Sequence, residues 1–234
     1  MIIIPTYNER SNVRPLVERI RKATGDLSIL FVDDNSPDGT QVEIVAMQKT
    51  DKNIYLLARP KKQGLGSAYR AAFEHVRRSP EIEFVITLDA DLSHDPSELP
   101  IFLKLIKLHP VVVGSRYVAG GKIINWNLVR RLVSKFGNIY AKFLTATPVS
   151  DLTSGYVAYQ TSWLNRVPFQ NIQAEGYAFQ IEMKHRLHAL GANIHEHPIA
   201  FVEREGGKSK FSLVIILEGV KFPLKVYFER LLRK

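Results

Sequence analysis

Through residue 115 the chain alternates short apolar runs with longer amphipathic stretches. Ile2 to Pro5, Ile29 to Asp33, Ile54 to Ala58, Phe84 to Leu88 and Val111 to Ser115 are short and rich in Ile, Val, Leu and Phe, so each reads as a strand. Between them, Val13, Leu16, Val17 and Ile20 recur at helical spacing, and Val42 and Val45 mark a second helix. Ser67 to Val76 reads as a third, and Pro96 to Leu108 as a fourth with Asp95 as its N-cap. Strands that are apolar along their whole length are covered on both faces. Alternating with helices, they predict an α/β fold with a mostly parallel central sheet flanked by helices.

In such a sheet, ligands bind beyond the carboxyl ends of the strands. Three of the strands run directly into polar turns at that edge. Pro5-Thr6-Tyr7-Asn8-Glu9 ends the first, Asp33-Asp34-Asn35-Ser36-Pro37-Asp38-Gly39 the second, and Asp89-Ala90-Asp91 the fourth. One such cluster is ordinary turn chemistry; three on one edge point to a site. Asp89 and Asp91, at i and i+2 after a buried strand, suit a hard divalent cation, Mg²⁺ or Mn²⁺, which joins one or two carboxylates to a diphosphate. Gly64-Leu65-Gly66 reads as a turn, His195 and His197 as structural histidines without a third ligand, and His94 as a residue ordering the Asp turn.

After Gly120-Gly121 the pattern changes. Ile124 to Thr145 reads as a long basic helix with Trp126, Phe136 and Phe143 among its apolar residues. Gly155 to Tyr159 reads as a strand and Tyr177 to Leu190 as a helix, with short strands near Ile194 and Phe201. Leu213 to Leu232 reads as a second basic amphipathic helix. No repeat or low-complexity linker divides the chain, so one domain over 1–234 is expected. The net charge of +9 is segregated: Leu99 to Ser150 holds eight Lys and Arg and no Asp or Glu, and Gly206 to Lys234 holds seven basic and two acidic residues. Such segments call for an anionic partner, whether nucleic acid, anionic lipid or a phosphorylated substrate. The absence of cysteine excludes disulfides and thiolate zinc sites. No apolar run approaches the roughly 20 residues of a membrane span, and Met1-Ile2-Ile3-Ile4-Pro5 lacks the basic start of a signal peptide. Any membrane contact is therefore expected to be peripheral.

Taken in order, the three turns, Leu92-Ser93-His94-Asp95-Pro96, Gly114-Ser115-Arg116-Tyr117, Gly120-Gly121, Thr153-Ser154-Gly155-Tyr156, Gly176-Tyr177-Ala178-Phe179-Gln180 and the run from Arg204 to Ser209-Lys210 resemble glycosyltransferase family 2. Within it they are most similar to the dolichyl- and polyprenyl-phosphate mannose synthases. The resemblance implies a GT-A fold, GDP-mannose as donor, dolichyl or polyprenyl phosphate as acceptor, and a Mg²⁺ or Mn²⁺ ion. It implies that Pro5, Tyr7, Glu9, Val32 and Asp34 hold the nucleoside, and that Asp89, Ala90 and Asp91 hold the diphosphate and metal. By the same resemblance Arg204 and Lys210 meet the donor phosphates, and Arg116 and Arg130 grip the acceptor phosphate. Asp91, Arg116 and Arg130 form the implied catalytic set. Residues 1–115 become a nucleotide-sugar-binding half, and 116–234 an acceptor half with amphipathic helices near 124–145 and 213–232. Ser93 stands where some relatives carry Gln and Val157 where relatives often carry Arg, so neither inherits a role.

The chemistry fits this assignment. A phosphate monoester is already anionic near neutral pH, its second pKa being about 6, so the acceptor needs aim more than a general base. Guanidinium forks supply aim. The expectation is a peripheral enzyme on the cytoplasmic face of a membrane, alone or with a separate membrane-anchor subunit. Transfer of glucose or another sugar to the same lipid is the alternative within the class. A basic nucleic-acid-binding protein is the alternative outside it, and it leaves Asp89 and Asp91 unexplained; nucleic acid is not expected as a partner.

Overall fold

The computed structural model describes residues 1–172, 174–203 and 213–232. The first half runs β1 (Ile2–Thr6), α1 (Arg10–Thr24), β2 (Ile29–Asp33), α2 (Thr40–Gln48), β3 (Ile54–Ala58), α3 (Leu65–Arg77), β4 (Phe84–Thr87), α4 (Leu99–Leu105) and β5 (Val111–Ser115). The second runs β6 (Lys122–Ile124), α5 (Leu128–Thr145), β7 (Val157–Gln160), α6 (Thr161–Leu164), α7 (Gly176–Ala189), β8 (Ile194–Pro198), β9 (Ala200–Val202) and α8 (Leu213–Leu232).

The main sheet has the order β3-β2-β1-β4-β7-β5-β8, and only β7 runs antiparallel to its neighbours. The register pairs Thr6 with Asp33 and Asp33 with Ala58, so these strands end level and their turns share one edge. Side chains alternate between the two faces, as strand geometry requires. Ile2, Ile4, Phe31 and Ile86 pack under α1, α2 and α4 against Leu16, Ile20, Ile44 and Phe102. Ile3, Leu30, Val32 and Val85 pack on the other side against Tyr69, Phe73, Phe179 and Met183 of α3 and α7. Tyr69 and Phe179 stack at 5.5 Å between ring centroids, which ties α3 to α7. β6 and β9 form a small parallel pair beside this sheet.

One local expectation gains detail and two are corrected. The second helix is present, but Val42 and Val45 face solvent and it buries Thr40, Ile44 and Met47. The Pro96–Leu108 helix opens as a 3-10 turn over Pro96–Glu98, with Asp95 accepting from the Ser97 N–H at 2.9 Å, before α4 proper. The long basic helix starts at Leu128, where Asn127 caps it by accepting from the Arg130 N–H at 2.8 Å. Ile124 belongs to β6 instead, and Trp126 is a buried loop residue.

Helix α5 is turned opposite to a core helix. It buries Asn138, Ala141, Leu144 and Thr145, and exposes Val129, Phe136, Ile139 and Phe143. Helix α8 lies along it, with the Tyr140 hydroxyl donating to the Val220 carbonyl and Arg230 to the Leu144 carbonyl. Among the described residues no helix is long and apolar enough to cross a membrane.

The start of α3 has no room to spare. A Cβ on Gly66 would lie 2.4 Å from the Ala174 carbonyl oxygen, a backbone atom. Gly66→Ala is therefore expected to push α3 away from the segment before α7 and to cost about 1–3 kcal/mol. For a chain of this size that is a fall in melting temperature of roughly 2–12 °C. An unchanged melting temperature would contradict this packing.

Candidate active site

The turn after β2 is built on Asp33. Its carboxylate is fully buried and accepts from Thr6 Oγ1, Ser36 N, Ser36 Oγ and Gln41 Nε2 at 2.6–2.9 Å. Asp33 is thus the scaffold of the turn. Asp34 faces the loop before α3, accepting from Arg59 Nη1 at 2.5 Å and from the Gln63 N–H at 2.9 Å. Arg59 also donates to Gln63 Oε1 and Ser67 Oγ, so β2, β3 and α3 meet at one charged node. Glu9 is buried and accepts from Asn12 Nδ2 at 2.7 Å, while Lys62 lies over the Tyr7 ring at 4.0 Å. Pro5 pairs with Val32 across β1 and β2, and the Val32 side chain lies in the core. Any part Val32 takes in nucleoside binding runs through its backbone.

The turn after β4 holds Asp89, Ala90 and Asp91. His94 is buried beneath it, and its Nδ1 accepts from the Asp89 N–H at 3.1 Å, which puts the ring proton on Nε2. Burial pushes the His94 imidazole down to about 4, so it is neutral near pH 7. Asp91 Oδ1 accepts from the Ser93 N–H and hydroxyl at 3.1 and 2.5 Å. Leu92 between them sits at φ 63°, a left-handed conformation that costs a branched residue roughly 1–2 kcal/mol. The neighbouring turns place Asn8 and Asn35 in the same region, where asparagine is tolerated. Among the described residues no three His, Cys, Asp or Glu side chains form a metal cage. An all-oxygen pair of carboxylates fits an ion that completes its shell with water and a ligand's phosphates, as Mg²⁺ and Mn²⁺ do.

Arg116 follows β5 and is buried against Asp151. Its backbone N–H and Nε both donate to Asp151 Oδ2, at 3.0 and 2.7 Å, and its Nη2 donates to Oδ1 at 2.7 Å. Burial works against both charges, and their mutual attraction outweighs it. Asp151 is held below the usual carboxylate range and Arg116 is pushed further up. Arg116 Nη2 also reaches Thr153 Oγ1, which is locked to Asn138 of α5. Arg130, in the first turn of α5, pairs with Glu203 and lies over the Trp126 ring at 4.1 Å. The Phe201 ring links the two halves of the site, 5.4 Å from the Arg116 guanidinium and 5.5 Å from the His94 ring. Arg204 and Lys210 lie outside the described residues.

Several residues of this site carry no signal that reading the chain in order would catch. Asp151 is one acid before a Thr-Ser-Gly run. Lys184 looks like a surface lysine, yet it is fully buried and donates to the Leu152 and Ser154 carbonyls at 3.1 and 2.8 Å. Tyr177 has its phenol raised by burial first; Arg116 acts against that, Asp89 with it, and Arg130 and Asp91 contribute as well. One side chain thus feels both carboxylates and both arginines. The motif Gly176-Tyr177 was the available clue.

The profile of glycosyl transferase family 2 matches residues 1–167, and the chain belongs to that family. It is a glycosyltransferase with the GT-A fold. It is 39% identical over 221 residues to the undecaprenyl-phosphate mannosyltransferase of Micrococcus luteus, covering 94% of this chain and 90% of that one. It is 39% identical over 216 residues to the polyprenol monophosphomannose synthase of Mycolicibacterium smegmatis, covering 91% and 80%. Among solved structures, glucosyl-3-phosphoglycerate synthase from Mycobacterium tuberculosis, in complex with Mn²⁺, uridine diphosphate and glucosyl-3-phosphoglycerate, superposes with a TM-score of 0.65 at 16% identity. That match covers 98% of this chain and 78% of the other, and shows the shared fold.

Burial pushes the Lys184 ammonium down to about 7, with Asp151 pulling it back up. The folded protein therefore binds fewer protons than the unfolded chain between about pH 7 and the ordinary lysine value, and stability should rise with pH across that window. Below it, Lys184 is charged in both states but buried only in the folded one, so the desolvation cost is felt in full. Lys184→Met should remove this contribution, so the parent should gain about 1–2 kcal/mol more than the variant between pH 7 and 9. Urea unfolding at both pH values measures it; equal gains would mean that Lys184 is not held neutral by burial.

Proposed function

We propose that this chain transfers mannose from GDP-mannose to dolichyl or polyprenyl monophosphate at a membrane surface. The observation that carries the reading is adjacency. A turn with two carboxylates is joined through His94 and Phe201 to a buried arginine, and a second arginine lies over the neighbouring Trp126. One side suits a diphosphate with its cation and the other suits a phosphate monoester. The two relatives at 39% identity support mannose and a polyprenyl phosphate, and the motif resemblance supports the guanosine nucleotide.

Pro5, Tyr7, Glu9, Asp34 and the backbone of Val32 would hold the nucleoside. Asp89 and Asp91 would hold the ion, which when bound neutralises charge on the departing diphosphate. Ala90 lies between them, buried, and Arg204 and Lys210 would add positive charge to the donor phosphates. Arg116 and Arg130 would fix the acceptor, whose anionic oxygen attacks the sugar's anomeric carbon as the bond to the diphosphate breaks, with inversion. No side chain need accept a proton in that step. The outward apolar residues of α5 and α8, mixed with Arg131, Lys135 and Lys142, suit an interfacial docking face. Peripheral attachment to the cytoplasmic leaflet follows from this reading.

Calorimetry tests the donor side. Asp91→Ala is expected to abolish Mn²⁺-dependent binding of GDP-mannose, and Asp89→Ala to weaken it, with melting temperature retained. Parent-like affinity in Asp91→Ala would sink the metal assignment, and tighter binding of UDP-glucose by the parent would overturn the donor.

Kinetics with a short polyprenyl phosphate test the acceptor side. Arg130→Lys keeps the charge and loses the fork, and is expected to lower acceptor kcat/KM by about 10- to 150-fold, the worth of one charge-assisted hydrogen bond, while GDP-mannose affinity stays put. Arg116→Lys should do the same and also lose stability, because Asp151 is buried against it. Equal losses for donor and acceptor would assign these arginines to the donor or the fold.

A further inference from the structure

Among the buried side-chain groups of the described residues that lack a hydrogen-bond partner, two donors pack against each other. Trp126 Nε1 and Arg130 Nε are both buried and make no hydrogen bond. Each can only donate, so each bears a desolvation cost with nothing to offset it. They belong to one cluster, since the Arg130 guanidinium lies 4.1 Å from the Trp126 ring centroid and the Arg116 guanidinium 5.5 Å from it. Asp151 already serves Arg116. The carboxylate that serves Arg130 is Glu203, and it reaches Nη1 alone. A phosphate monoester brings three acceptor oxygens and more charge than a carboxylate.

We propose that Glu203 is an internal stand-in for the acceptor's phosphate: the incoming phosphate displaces it from Arg130 and gives Arg130 Nε and Trp126 Nε1 the oxygens they lack. The proposal rests on the reading that Arg130 meets the acceptor. The two arginines are set up differently for this. Asp151 is fully buried and has nowhere to go, so Arg116 is a fixed strut. Glu203 keeps its side chain 34% exposed, so it can swing into water while its backbone stays tied to the Ile124 carbonyl. Because both orphan donors are covered, a neighbour must give way before an anion reaches them, and Glu203 is the charged neighbour able to do so. Until then it occupies Arg130 against weaker anions. Trp126 becomes a substrate-binding residue, and Glu203 a competitor of the substrate.

The test uses the whole protein with a short-chain polyprenyl monophosphate and, as control, the matching prenyl alcohol. The chain has two tryptophans, Trp126 and Trp163, so ¹⁵N labelling gives two indole signals that Trp163→Phe assigns. The Trp126 indole proton should move downfield with the phosphate and stay in place with the alcohol. Glu203→Gln should tighten phosphate binding about two- to fivefold, the scale of a partly exposed ion pair. Trp126→Phe keeps a ring under Arg130 and loses the N–H, and should weaken binding about tenfold or more. GDP-mannose affinity should be unchanged in both. Weaker phosphate binding by Glu203→Gln would make Glu203 a support for Arg130 and overturn the proposal, as would a Trp126 signal that stays still while phosphate binds. Arg130→Lys separates the layers: parent-like phosphate binding by that variant would overturn the underlying reading itself.

Discussion

Arg116 and Asp151 face each other where almost no water reaches, and the loop from 150 to 155 takes its shape from that meeting. The carboxylate accepts three times from one residue, and the Ser150 and Asp151 N–H groups are fixed in turn by Glu196 of β8. Lys184 of α7 holds the carbonyls of the same loop, and Asn138 of α5 holds Thr153. Four elements thus converge on six residues. A buried ion pair is weak evidence for stability, since apolar residues of equal volume often serve as well. Its value here is geometric. The Gly155 carbonyl, at the end of the loop, accepts from Thr87 Oγ1 at 2.7 Å two residues before Asp89, so the Arg116 cation on one side of the site and the carboxylate turn on the other rest on the same foundation.

Helix α5 connects that foundation to the outside. A core helix presents its large apolar residues inward; this one presents an asparagine, an alanine, a leucine and a threonine, and leaves its phenylalanines in the open. The inward polar group is satisfied, because Asn138 exchanges hydrogen bonds with Thr153 in both directions. The orientation of α5 is therefore set by a specific polar lock as well as by grease. Arg130, in its first turn, inherits that orientation.

The first half of the fold was legible because its signals are local. Ile29–Asp33, Ile54–Ala58 and Val111–Ser115 coincide with β2, β3 and β5, since a short apolar run bounded by turn residues has few other uses. The failures are places where a distant partner decides. Lys122–Ile124 is a strand only because β9 lies beside it, and its isoleucines read equally well as a helix start. Nothing in Val157–Gln160 says that it runs against its neighbours. Val42 and Val45 are exposed because α2 lies on its Ile44 and Met47 side, which a three-residue spacing cannot reveal. At the site, the turn carboxylates stood out by sequence position, and Arg116 by the motif resemblance alone. Asp151, Lys184 and Glu203 did not, because each matters through the residue it faces across the fold.

The antiparallel strand β7 has an effect on how the chain can be made and remade. It lies between β4 and β5, so at about 4.8 Å per strand those two are held roughly 10 Å apart by residues that come some 40 positions later in the chain. A ribosome that has released residue 115 has delivered five of the seven strands, and the sheet has a missing plank until Val157–Gln160 emerges. Residues 1–115 are therefore not a module that can be cut out and grafted. A recombination between relatives must carry the chain at least through β7, and the stretch matched by the family profile, residues 1–167, ends shortly beyond that strand.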